Sequence, residues 1–183
     1  VIPAAKWKAM TICTMPILGF TMVFYSIMNL FHLDFLPKQM MEMSYLGFLP
    51  YNIIGSFISV YIFFGAIQEE LIRCGKKRWV QLLTLSIMML PASMMSATPS
   101  GDINVDLTVL GFISLCYCSW IYGKTRSTII LIVLYFVSNL VPFHFESKAL
   151  GILLLIAGTA LTIGGFAVLS RKLPEMLVKD ENE

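Results

Sequence analysis

The residues with the most chemical capacity stand together in Gln68-Glu69-Glu70-Leu71-Ile72-Arg73, which closes an apolar run that begins near Phe48. Two adjacent carboxylates and a guanidinium thus fall where a bilayer is ending or still present. A charge inside a membrane span costs about 2.5–3.5 kcal/mol on insertion scales, so such residues face a bundle interior or a wet cavity and take a partner. Glu69 and Arg73 are four apart and share one helix face, with the acid on the favourable N-terminal side. Glu70 lies three before Arg73, and Gln68 directly precedes the pair. Such a cluster can exchange protons, dock a polar partner or line a pathway, and an active or docking site is expected here. The alternative is an interfacial helix end whose charges snorkel into headgroups. Two further polar groups interrupt apolar stretches. Tyr135 and Asn139, also four apart, can form interhelical hydrogen bonds or line a site. Ser93 follows Pro91 and can bond back to its own helix.

The elements that must hold these groups are set by composition. The chain of 183 residues is 57% hydrophobic and only 13% charged. Soluble domains lie near about half apolar and about a quarter charged. An all-α, polytopic membrane helix bundle follows, forming one domain over residues 1–183. The net charge of +2 is small, and no basic stripe with interleaved aromatics runs along a polar face, so no nucleic-acid partner is expected. Cys13, Cys74, Cys116 and Cys118 have no zinc-like spacing, and no metal or other cofactor is expected. Methionines such as Met40, Met41, Met88, Met89, Met94 and Met95 read as adaptable packing.

A span needs roughly 20 mainly apolar residues. Six candidates result, near residues 9–31, 49–74, 79–97, 107–123, 128–143 and 149–169. The first is too long for a signal-peptide core and lacks a small-residue cleavage site. Residues 32–46 connect the first two spans and contain an interfacial amphipathic pattern. Pro91 is expected to kink the third span. Gly158, Gly164 and Gly165 are expected to permit close helix approach in the sixth. Residues 170–183 form a mixed-charge, partly frayed tail. Basic residues set the orientation. With the N-terminus inside, the inner segments hold Lys6, Lys8, Lys76, Lys77, Arg78, Lys124, Arg126, Arg171 and Lys172, and the outer loops hold only Lys38 and Lys148. Both termini are then cytoplasmic, Glu69, Glu70 and Arg73 lie near the inner end of span two, and Trp7, Trp79 and Trp120 mark the inner interface.

On these residues span two resembles the first motif of the CAAX-protease and bacteriocin-processing (CPBP, or Abi) family, a Glu-Glu pair followed after three residues by Arg. Two registers are possible. Aligning on Glu69-Glu70 leaves only two residues before Arg73, a slip that turns a helix face by about 100°. Aligning on Arg73 places Gln68 and Glu69 at the pair, so the first acid is an amide. Thr125 to Asn139 is similar to the family's turn and following helix, with Asn139 at the family's Asn and Tyr135 at its His. In span three Met89 stands at the family's Phe and Ser93 at its second His. The likeness covers about residues 60–143.

The resemblance implies an intramembrane peptidase core in which a glutamate activates water, with Asn139, Tyr135 and Ser93 as oxyanion donors. Both family histidines are absent, and the chain's own, His32 and His144, fall in expected outer loops. A His-ligated metal is therefore not expected. Glu69 or Glu70 is the candidate general base, with Arg73 opposing that role. The reading reached is a proteolytically impaired CPBP-like protein of a bacterial cytoplasmic membrane. It would act as a regulator, scaffold or bacteriocin-immunity subunit that binds another membrane protein. Alternatives are an active glutamate-dependent endopeptidase of CAAX-type (prenylated) or leader-peptide substrates, and a small transporter or channel subunit. Against the last, no internal repeat is visible, where transporters carry inverted repeats.

Overall fold

A computed structural model describes residues 4–31, 45–95, 105–138 and 147–180, all of them helical or in the short turns between helices. Helix α1 spans Ala4–Leu30. Helix α2, Tyr45–Ser59, passes without a break into a π-helix, Val60–Gln68, and then into α3, Glu69–Arg73. Helices α4 (Arg78–Met95), α5 (Val105–Thr125), α6 (Thr128–Ser138) and α7 (Lys148–Asp180) complete the order. Each expected span is helical wherever it is described, except for the terminal residues Phe31 and Cys74, which lie in turns. Among the described residues, three helical stretches are long and apolar enough to cross a membrane: Trp7–Leu30, Ile53–Arg73 and Lys148–Lys172. Polar residues such as Gln81 and Ser86 in α4, and Asp106, Thr108 and Ser119 in α5, dilute the apolar character of those two helices. The described part of α6 is apolar but short. Most of the 32–46 connector and of the loop before α5 lies outside the described residues, as do His32 and His144. Helix α7 continues through Arg171 and Lys172 to Asp180. Its extension has its own helix formers, Glu175, Met176 and Leu177, beyond the apolar part.

The chain divides into two compact units, residues 1–33 with 124–183 and residues 34–123. In the first, α1 packs along α7 and against α6. The α1–α7 seam is built on missing side chains. A Cβ on Gly19 would meet the Gly158 carbonyl at 2.5 Å, and one on Gly158 would meet the Gly19 carbonyl at 2.7 Å. Pro16, inside α1, lies against Gly165, where a Cβ would come within 2.9 Å of the proline ring. Gly164 corrects its expectation, since it faces open space. The hydroxyls of Thr14, Thr21 and Thr162 are satisfied within their own helices by carbonyls four residues earlier, which suits helices with no water to bond.

In the second unit the π-helix sets the geometry. Its wider turn amounts to one residue inserted into an α-helical ladder. At its exit the Glu69 N–H reaches back to the Phe64 carbonyl, five residues earlier. Val60, Phe64 and Gln68 form its buried face, while Phe57 and Tyr61 stack on the exposed side with ring centroids 6.5 Å apart. Helix α3 ends in a Schellman motif. Gly75, at φ +66°, supplies the left-handed residue, and the Gly75 and Lys76 N–H groups bond the Ile72 and Leu71 carbonyls. Helix α4 begins at once, with the Lys77 carbonyl accepting from the Val80 and Gln81 N–H groups.

Candidate functional site

The inward turn of Gln68 and the partial burial of Glu69 create a polar layer within the second unit. Gln68 is 1% exposed. Its Nε2 donates to the Ser119 carbonyl at 3.0 Å and to Gln81 Oε1 at 3.3 Å. Gln81 passes the connection on, since its Nε2 donates to the Lys76 carbonyl at 2.8 Å. One chain of amides therefore ties the π-helix exit to α5, α4 and the turn that joins α3 to α4. Buried amides need this pairing, because an unpaired one retains its desolvation cost. Gln68 Oε1 and the Ser119 hydroxyl are buried with no partner among the described residues.

Glu69 sits one residue beyond. Tyr122 donates its phenolic O–H to Glu69 Oε2 at 3.0 Å, and Arg73 Nε lies 3.5 Å from Oε1. Both carboxylate oxygens are thus engaged. Tyr122 is 3% exposed and packs against Phe64 with ring centroids 6.3 Å apart, so its hydroxyl is fixed by the same helix that carries the acid. Arg73 is 70% exposed at its side chain, against 25% for Glu69. Glu70 points outward, is exposed, and accepts a long contact from the Cys74 thiol at 3.9 Å. Of the sequence-derived candidates, Gln68, Glu69 and Arg73 are therefore brought together, with Gln68 and Glu69 as the inward pair and Glu70 at the rim. Ser93 lies on the backbone of α4. Tyr135 is half-buried in α6, in the first unit. Asn139 lies outside the described residues. Among the described residues no cluster of His, Cys, Asp or Glu could hold a metal.

Three members of the layer, Gln81, Ser119 and Tyr122, were not singled out from the sequence. The available signal was spacing. Ser119 and Tyr122 are three apart and share a face of α5, and Gln81 is an isolated amide three residues into α4. A polar group in an apolar helix needs a partner, and these were the partners available to Gln68 and Glu69.

The unequal partners of Glu69 give a ranked prediction. A hydrogen bond to a charged group is worth about 1.5–3 kcal/mol when its donor is removed. An exposed pair four residues apart on a helix is worth about 0.3–0.5 kcal/mol. Tyr122→Phe is therefore expected to lower thermal stability in detergent clearly more than Arg73→Ala, measured by tryptophan fluorescence on heating. The reverse order would place the Arg73 pair, rather than the phenol, as the main anchor of Glu69.

Compared with family models, curated proteins and solved structures, the chain finds no match.

Proposed function

We propose that this protein is a CPBP-like membrane protein of six spans with both termini in the cytoplasm, impaired in proteolysis, which works as a scaffold or regulatory subunit for another membrane protein. Bacteriocin self-immunity is one setting that such a role fits. The observation that carries the reading is the engagement of Glu69. A general base must stand within reach of a water and take its proton. Glu69 instead accepts from Tyr122 and pairs with Arg73. Gln68, at the position of the family's first acid, is an amide held between Ser119 and Gln81. These groups fasten three helices together, which is work for a frame that presents a surface.

One feature favours the second reading, a working endopeptidase with Glu69 or Glu70 as base. The π-helix Val60–Gln68 leads directly into the acids, and π-helical turns occur frequently at functional sites. Purification in mild detergent, from cells making Glu69→Gln, Glu70→Gln or the unchanged protein at equal levels, separates the two. The scaffold reading expects one membrane protein to co-purify in constant ratio with all three. Retention of a substrate by Glu69→Gln or Glu70→Gln, with only its cleaved fragments found beside the unchanged protein, supports the peptidase and overturns the scaffold.

A further inference from the structure

The turn between α3 and α4 is more ordered than a basic loop at a membrane edge requires. Arg73, Lys76, Lys77 and Arg78 fall within six residues and are all exposed. Among the described residues no carboxylate forms an ion pair with Lys76, Lys77 or Arg78. Glu69 is engaged by Tyr122 and Arg73, and Glu70 faces the Cys74 thiol. The backbone of the turn is fixed from both sides. The Schellman bonds close α3, and Gln81, held by buried Gln68, grips the Lys76 carbonyl from within. Trp79 is 63% exposed directly beside the cations, the placement that suits a tryptophan at headgroup level. The apolar stretch Ile53–Arg73 ends at this turn.

We propose that the Arg73–Trp79 turn is a built seat for the phosphate of an anionic glycerophospholipid, with Gln81 as its positioning residue. The chemistry is complementary. Three exposed cations meet a phosphodiester, and the tryptophan ring lies among the acyl and glycerol carbons. Because the backbone is already fixed, binding orders less of the chain than it would in a free loop. That distinguishes a seat, which retains a lipid, from the diffuse attraction any polybasic segment exerts on an anionic leaflet. The proposal requires only that Ile53–Arg73 crosses the membrane, and is independent of whether the protein is a scaffold or a peptidase.

The test reconstitutes the full chain in nanodiscs of phosphatidylcholine with an equal share of phosphatidylglycerol, and counts lipids retained after transfer to detergent by native mass spectrometry. Phosphatidylglycerol is expected to be retained in preference to phosphatidylcholine. The combined change Lys76→Gln, Lys77→Gln, Arg78→Gln is expected to lower that preference roughly tenfold or more, given the contribution of each cation near a charged leaflet. Lys8→Gln, which removes an exposed cation elsewhere, leaves it unchanged. Gln81→Met, which alters no charge, is expected to reduce the preference at preserved helicity. Equal retention of the two lipids, or an undiminished preference in the triple variant, overturns the seat. Displacement of the lipid by excess inorganic phosphate assigns the turn to a free anion and overturns the lipid headgroup as its occupant. A Gln81→Met protein with the unchanged preference overturns the positioning role, with the triple variant still deciding the seat.

Discussion

Gln68→Glu is expected to destabilise the protein by about 3–5 kcal/mol, the range seen when a buried charge is left without compensation. The change replaces the side-chain NH2 by an oxygen and leaves the rest of the side chain unaltered. Its consequence follows from which atoms surround that position. Gln68 donates through Nε2 to two oxygens, the Ser119 carbonyl at 3.0 Å and Gln81 Oε1 at 3.3 Å. A carboxylate donates to neither and sets its own charge against both. Rotation of the Gln81 amide turns an N–H toward the new carboxylate, but removes the donor from the Lys76 carbonyl, now bonded at 2.8 Å. The Ser119 carbonyl stays opposed in either case. Gln68→Met, with similar volume and no charge, loses only the hydrogen bonds and is expected to cost about 1–3 kcal/mol. Thermal unfolding of both variants in the same detergent checks the order. A Gln68→Glu protein as stable as the unchanged one would mean that the acid is held protonated and donates to the Ser119 carbonyl, or that it accepts from the Ser119 hydroxyl. Cleavage activity acquired with that change would place the layer at a peptidase centre.

Gly19→Leu and Gly158→Leu are each expected to cost about 3 kcal/mol, the upper part of the usual range for overpacking. Lipid chains are as apolar as the helix side chains, so helix association in a bilayer rests on close packing. Here the obstruction is backbone. A Cβ on Gly19 meets the Gly158 carbonyl at 2.5 Å and the Thr162 nitrogen at 2.6 Å, and neither can rotate away. Gly164 provides the contrast within the same helix. It is exposed with nothing within 4 Å of an added Cβ, so Gly164→Ala is expected to stabilise α7 by up to about 1 kcal/mol through helix propensity. Gly165→Ala, one residue on, meets Pro16 at 2.9 Å and is expected to destabilise. Opposite signs at adjacent glycines, read as shifts in thermal midpoint, test the seam directly. Equal shifts would mean that α1 and α7 do not meet along this line.

The helices were legible from apolar run length because a backbone in a membrane must satisfy itself. The Glu69–Arg73 pair was legible because a spacing of four fixes a shared face on any α-helix. The π-helix was not legible. Val60–Gln68 is an apolar run whose composition suits an α-helix equally well. Gly164 and Gly165 are the same residue type side by side, and only the position of Pro16 on another helix decides which is needed. The partners of Gln68 were missed for a related reason. Charge stands out in an apolar sequence, while the layer is held mainly by the neutral amides Gln68 and Gln81 and a backbone carbonyl on α5.

Glu69, held by Tyr122 and Arg73, is proposed to fasten helices and not to activate water. Mass-spectrometric mapping of peptide termini, in membranes carrying either the unchanged protein or Glu69→Gln at equal levels, tests it most directly. The same set of termini is expected in both. A group of leader-peptide or prenylated C-terminal cleavages present with the unchanged protein and absent with Glu69→Gln would contradict it.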